Sequence, residues 1–218
     1  MQPMVSIVGK ANSGKTRLLR NLIAELKKRG LSMAVIKHAG EDFEIDTEGK
    51  DTWHFRQAGA ETVAISSPHQ VAIMKKVTRD LDLRELSRAV DDNYDLIITE
   101  GFKQENTCKI EVHRAEQGKD LVSNSEQLLA VVTDEPLEVA VPQFSGEEVS
   151  KIADLIEQKV LKIPREDDIE LYVNDSLVTM NPFVKKILIS TLTGFISSLK
   201  GVSRIKDIRV LLRKNSDI

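Results

Sequence analysis

Gly9-Lys10-Ala11-Asn12-Ser13-Gly14-Lys15-Thr16 follows directly on the apolar run Met4–Val8 and leads into a stretch of helical period. It matches the phosphate-loop pattern G-x-x-x-x-G-K-[ST] at every fixed position. In a strand–loop–helix setting, glycines let the backbone curl so that successive N–H groups point at phosphate oxygens. The helix that follows adds its positive N-terminal end. Gly9, Lys10, Ala11, Asn12, Ser13, Gly14, Lys15 and Thr16 are therefore expected to hold the phosphates of a nucleotide. Lys15 would reach the β/γ oxygens, and Thr16 would ligate Mg²⁺ through its hydroxyl.

The rest of the chain fits that beginning. Leu18, Leu19, Leu22, Ile23 and Leu26 lie on one face of a helix that Gly30 stops. Met33 to Ala39 reads as a second buried strand, and Thr52 to Ala60 holds a short helix closed at Gly59. Glu61 to Ser67 and Gln70 to Val77 read as a hairpin about Pro68-His69. Asp82 to Val90 has helical spacing, while Tyr94 to Gly101, Lys109 to Arg114 and Gln127 to Asp134 are strands. Ser145 is placed to cap a helix running to about Leu161. Strands alternating with helices predict an α/β fold: a mostly parallel sheet flanked by helices, like that of P-loop NTPases.

Lys162 to Asp168 is charged and holds a proline, as linkers do. Beyond it the pattern restarts: two strands about Asn174-Asp175, a helix capped by Asn181 with Pro182 at its first position, and a last strand, Asp207 to Lys214. The reading is a nucleotide-binding domain over 1–163 and a small ββαβ lobe over 168–218.

Hydrophobic residues make up 41% and charged residues 30%, enough apolar material for a core. A formal charge of −3 gives no basic field for nucleic acid. The N-terminus lacks the pattern of a signal peptide, and no apolar run approaches the ~20 residues of a membrane helix. A single cysteine, Cys108, excludes an intrachain disulfide, so a cytoplasmic setting is expected.

Four more places carry candidate chemistry. Glu100 ends a strand and is positioned to support Mg²⁺ or orient a water, whereas Asp95 lies at the strand's other end. The acidic loop Glu41 to Asp51 offers Asp46 as a metal ligand through water, with Lys50 and Asp51 in a turn near substrate. Asp134 ends a later strand; its carboxylate can accept from N1–H and the amino group of guanine, which adenine cannot match. His38 follows the second strand and is placed to touch ligand; His54, His69 and His113 show no metal-ligand spacing. Lys10, after the first glycine, matches the deviant phosphate loop of dimeric ATPases that act in trans, and an exposed loop lysine accounts for it as well.

Taken together, Ser6 to Gly30, Ala34 to Ala60 and Tyr94 to Arg114 resemble the MobB family of molybdopterin-guanine dinucleotide biosynthesis. The order of phosphate loop, Ile36-Lys37-His38, Gly49-Lys50-Asp51, Thr99-Glu100-Gly101-Phe102-Lys103 and Lys109 to Arg114 carries the likeness. It implies a GTP-binding fold, dimerisation, weak GTPase activity at most, and an accessory role to the guanylyltransferase (MobA-like) that joins GMP to molybdopterin. Carried over, Gly9 to Thr16 hold phosphates, Asp46 and Glu100 lie near the metal, and Lys50 and Asp51 sit in the family's turn. Short members lack the tail beyond about residue 168. The rival from another class is a small-molecule kinase on the same loop, although Arg79, Arg84 and Arg88 do not form an evident arginine lid. A metallochaperone-type GTPase would need a His/Cys relay, which is not visible.

Overall fold

The computed structural model describes residues 2–40, 43–90, 94–118, 120–162, 169–174 and 176–202, with positions 205, 208, 210 and 212. The chain divides into two compact units, Gln2–Ile163 and Pro164–Ile218.

The first unit is built on a six-stranded sheet: β1 (Met4–Val8), β2 (Met33–Lys37), β5 (Leu96–Glu100), β6 (Cys108–Val112), β7 (Leu128–Val132) and β8 (Gln143–Phe144). Their order is β2-β5-β1-β6-β7-β8, and every pairing is parallel. β1 is central, which is why Val5, Ile7 and Val8 are wholly buried and the strand reads as an unbroken apolar run. The two-residue edge strand β8 is too short to carry a sequence pattern.

α1 (Lys15–Lys28) and α4 (Val149–Ile156) pack together on one sheet face. Leu18, Leu22 and Leu26 meet Val5, Ile7, Ile98, Ile110, Val132, Ile152 and Ile156 there. Each buried leucine of α1 contributes about 1.5–3 kcal/mol relative to exposure. Arg29 ties the two helices, donating to Asp154 at 2.6 Å, to Glu157 at 2.9 Å and to Glu25 at 3.0 Å. The helix expected from Ser145 to Leu161 is regular only over α4 and closes in a wider turn, Glu157–Leu161. Glu148 stands at its N-cap, and Ser145 instead donates its backbone N–H to the Glu148 carboxylate at 2.8 Å.

The opposite face is covered in two ways. Over β2 and β5, Leu83 of α3 (Leu83–Ala89) packs with Ala34, Ile36, Ile97 and Phe102. Over β1, β6 and the neighbouring part of β5 the buried residues include four polar ones: Ser6, Thr99, Lys109 and Glu111. Loops cover them, not a helix. Lys109 donates to the Glu105 carbonyl at 2.6 Å and to Gln127, and Glu111 accepts from the N–H groups of Val122 at 2.7 Å and Ser123 at 2.9 Å. Thr99 donates to the Ser6 hydroxyl at 2.8 Å, so each of these four finds a partner, as desolvation demands.

α2 (Asp51–Gln57) precedes the hairpin β3 (Thr62–Ser67) and β4 (Gln70–Lys75), which forms as expected but as a separate two-stranded sheet. The second unit holds the hairpin β9 (Leu171–Val173) and β10 (Ser176–Val178), then α5 (Pro182–Ser197). Asn181 caps α5 by accepting from the Val184 N–H at 2.9 Å, with Pro182 at the first position. The last strand read from Asp207 to Lys214 lies largely outside the described residues, as do Glu41 and Asp42 of the acidic loop.

Candidate functional site

The parallel sheet brings the carboxyl ends of β1, β5, β6 and β7 side by side, the edge where open α/β sheets bind ligands. The Gly9–Thr16 loop leaves β1 there. Gly9 has φ 144°, and a Cβ at this position would lie 2.3 Å from the Val112 carbonyl oxygen, so only glycine fits. Ser13 is wholly buried and its Oγ has no hydrogen-bond partner. Lys15 folds over the loop, its Nζ donating to the carbonyls of Lys10 at 2.7 Å and Gly9 at 3.3 Å. Burial pushes the Lys15 ammonium below its ordinary pKa; the nearby Glu100 charge opposes this, and Lys103 and Lys37 add to it.

Thr16 is the second residue of α1, and its hydroxyl lies 3.3 Å from both oxygens of Glu100 at the end of β5. That is long for a hydroxyl–carboxylate bond, so the pair is loosely held and its oxygens can turn to a cation. Hydroxyl and carboxylate oxygens are the hard donors Mg²⁺ takes, alongside water and phosphate. Glu100 is nearly buried and faces Lys37 at 3.5 Å. Among the described residues no group of three or more His, Cys, Asp or Glu gathers as a metal site. A nucleotide-bound cation needs none, because phosphates fill its shell.

The other sequence candidates divide. His38 donates its backbone N–H to the Glu100 carbonyl at 3.0 Å, but its ring turns to Asp80 at 2.7 Å and Phe102 at 5.2 Å between centroids. Among the described residues Asp46 makes no hydrogen bond to Thr16 or Glu100. Its Oδ1 accepts from the Thr47 N–H at 3.0 Å and the Thr52 hydroxyl at 2.7 Å, at the start of α2, while its buried Oδ2 has no hydrogen-bond partner and faces Arg56 at 3.8 Å. Lys50 is the N-cap residue of α2 and Asp51 its first residue, both exposed and apart from the Thr16–Glu100 pair's hydrogen bonds. Asp95 accepts from the Ser32 N–H and hydroxyl, a structural task at the sheet's far end.

Asp134 lies beside the loop, and a residue that spacing did not single out joins it. Arg114, directly past β6, approaches Asp134 at 3.5 Å, and its guanidinium would lie 3.1 Å from a Cβ on Gly14. Asp134 also accepts from the Ala115 N–H at 3.1 Å; that bond above all, with Arg114 assisting, holds its carboxyl below the ordinary carboxylate pKa. Gln117 completes the contact, donating to the Ala11 carbonyl at 2.6 Å and accepting from Lys10 Nζ at 2.6 Å. Lys10 is thus held within its own chain. A cleft of about 390 Å³ opens between Gly14, Leu18, Arg114, Asp134 and Gly146. The sequence signals for Arg114 are its place at the carboxyl end of a strand and its membership of the Lys109 to Arg114 motif.

The family model described as Molybdopterin guanine dinucleotide synthesis protein B matches residues 4–134, which include the loop, Glu100, Arg114 and Asp134. The chain belongs to the MobB family. Within it, the molybdopterin-guanine dinucleotide biosynthesis adapter protein of Haemophilus influenzae is 39% identical over 156 residues, 71% of this chain and 88% of that one. A putative adapter protein of Methanocaldococcus jannaschii is 28% identical over 95% of this chain and 96% of its own length, so that MobB relative also spans the second unit. Among solved structures, a molybdopterin-guanine biosynthesis protein B aligns with TM-score 0.55 and 31% identity, covering 71% of this chain and 98% of that chain. Bacillus subtilis MobB aligns with TM-score 0.61 and 25% identity, covering 74% and 99%.

Proposed function

We propose that this protein is a GTP-binding adapter in molybdopterin-guanine dinucleotide biosynthesis. It would support a MobA-like guanylyltransferase as that enzyme attaches GMP to molybdopterin, hydrolysing GTP slowly at most. The observation that carries this reading is the Thr16–Glu100 pair at the mouth of a phosphate loop, in a chain of the MobB family. Gly9 to Thr16 would hold the phosphates, Thr16 and Glu100 the Mg²⁺, and Asp134 the guanine. His38 is within reach of a second ligand through its place against Glu100. Asp46 would reach the cation through water with its unpartnered Oδ2, and Lys50 and Asp51, at the start of α2, would lie near substrate. A cytoplasmic setting suits an adapter for a nucleotide-dependent transferase.

We assign the dimer contact to the β3–β4 hairpin. Ile65 is 53% exposed, Val71 62% and Ile73 66%, and their cross-strand partners place apolar side chains on both faces. A lone two-stranded ribbon is marginal in water, so a covering partner suits it, and a second copy supplies the same surface.

Titration of the full chain with GTP and ATP, with and without Mg²⁺, tests the nucleotide reading. Co-purification with a MobA-like guanylyltransferase tests the adapter reading. Fast, partner-independent phosphate transfer to a small molecule would replace it with the kinase, and GTP hydrolysis near the ~10 s⁻¹ of ordinary enzymes would overturn the slow turnover.

A further inference from the structure

Resting on the nucleotide reading above, we propose that Arg114 and Asp134 act as one guanine-reading pair, with Arg114 donating to O6 while Asp134 accepts from N1–H and the 2-amino group. The two side chains come from the ends of neighbouring strands and lie 3.5 Å apart in the cleft beside the phosphate loop. The spacing puts a donor next to an acceptor. Guanine presents the matching sequence along its edge: an acceptor at O6, then donors at N1 and the 2-amino group. Adenine presents the reverse, a donor at the 6-amino group and an acceptor at N1, and would leave both protein charges facing like partners.

The groups have capacity to spare. Oδ1 of Asp134 accepts from the Ala115 N–H at 3.1 Å, while Oδ2 faces Arg114 at 3.5 Å and keeps lone pairs for the base. Arg114 has five donors, and its approach to Asp134 is too long to be a hydrogen bond that the base would have to break. Leu18 offers an apolar wall, and the Arg17–Glu147 pair at 2.8 Å closes the rim. Arg114 also stands over Gly14, where a Cβ would lie 3.1 Å from its guanidinium, so the base reader and the phosphate loop line one cleft. Without a base, the pair neutralises itself, which spares the cleft an isolated charge.

The experiment measures dissociation constants on the full chain for GTP, ITP, XTP, ATP and 2-aminopurine riboside triphosphate, which keeps the 2-amino group but lacks both O6 and the N1–H. The native protein is expected to prefer GTP to ATP and to the O6-lacking analogue by roughly tenfold to a hundredfold, with ITP between. Arg114→Ala should shrink the GTP/ATP ratio mainly by weakening GTP, and Arg114→Lys should recover part of it. Asp134→Asn should make XTP bind more tightly than GTP, because an amide donates to the 2-oxo group. Equal binding of GTP and the O6-lacking analogue by the native protein overturns the Arg114 role without any substitution. An equal loss of GTP and ATP in Arg114→Ala assigns Arg114 to phosphate or packing and overturns it too. If the native protein binds GTP and ATP alike, the pair does not read the base, although the phosphate-loop reading stands. If it binds neither, the nucleotide reading itself falls.

Discussion

Single residues of the loop do two separable things. Gly9 serves the fold: its φ of 144° and the 2.3 Å approach to the Val112 carbonyl leave no room for a side chain. Gly9→Ala should therefore unfold at lower temperature than the native chain and lose nucleotide binding, because backbone at the centre of the sheet must shift. An unchanged melting temperature would contradict the close packing of loop against β6. Lys15 serves the ligand: it is tied only to two loop carbonyls, which water can satisfy in its place. Lys15→Ala should melt close to the native protein yet bind GTP roughly tenfold to a hundredfold more weakly, the loss of a charge-assisted contact to phosphate. Calorimetric titration checks it, and native affinity in the variant would remove the loop from the proposed site. Asp46 divides its carboxylate: Oδ1 holds the Thr47 N–H and the Thr52 hydroxyl, while the buried Oδ2 has no hydrogen-bond partner and keeps its lone pairs for a water or cation.

At the scale of elements, the β3–β4 hairpin and β6 carry the main contrasts with local pattern. The hairpin's strands and turn were legible because their signals are local: β-branched runs on either side of Pro68-His69. Its separation from the main sheet was not, since nothing in a strand's own residues names its neighbour. Replacing Val71 and Ile73 together by aspartate should convert a dimer to a monomer, read by light scattering, while nucleotide affinity holds. A dimer that survives the double substitution would move the contact elsewhere. β6 misleads in another way. Its alternation of Lys109, Ile110, Glu111 and Val112 reads as one wet face and one dry face, but both are buried. The charged side chains reach loop partners across 4 to 18 residues, a solution that depends on how those loops return over the sheet.

At the scale of the molecule, we propose that residues 164–218 fold as a domain of their own. α5 leaves Phe183 and Phe195 exposed, at 72% and 65%, so the unit carries apolar surface beyond the needs of its own hairpin. A chain ending at residue 162 should stay soluble and bind GTP with native affinity, because loop, Glu100, Arg114 and Asp134 all lie before that point. Aggregation of the shortened chain with loss of binding would place the second unit in the main core. The relative from Haemophilus influenzae, matched over 71% of this chain and 88% of itself, accords with a first unit that suffices alone.

The sequence by itself determined the local devices. The glycines and lysine of the phosphate loop, the leucine stripe of α1, the Asn181-Pro182 helix start and the strand runs each work through neighbours within a few residues, so their pattern is their mechanism. Alternation of strands and helices then left a parallel α/β sheet as the consistent architecture. Only the tertiary structure decided which strand ends meet. Thr16 and Glu100 are 84 residues apart and touch because β1 lies beside β5. Arg114 reaches Gly14 and Asp134 because β6 lies between β1 and β7. Strand order is set by how the whole core packs, and no single segment encodes it; the site is assembled from strand ends, so its membership waits on that order.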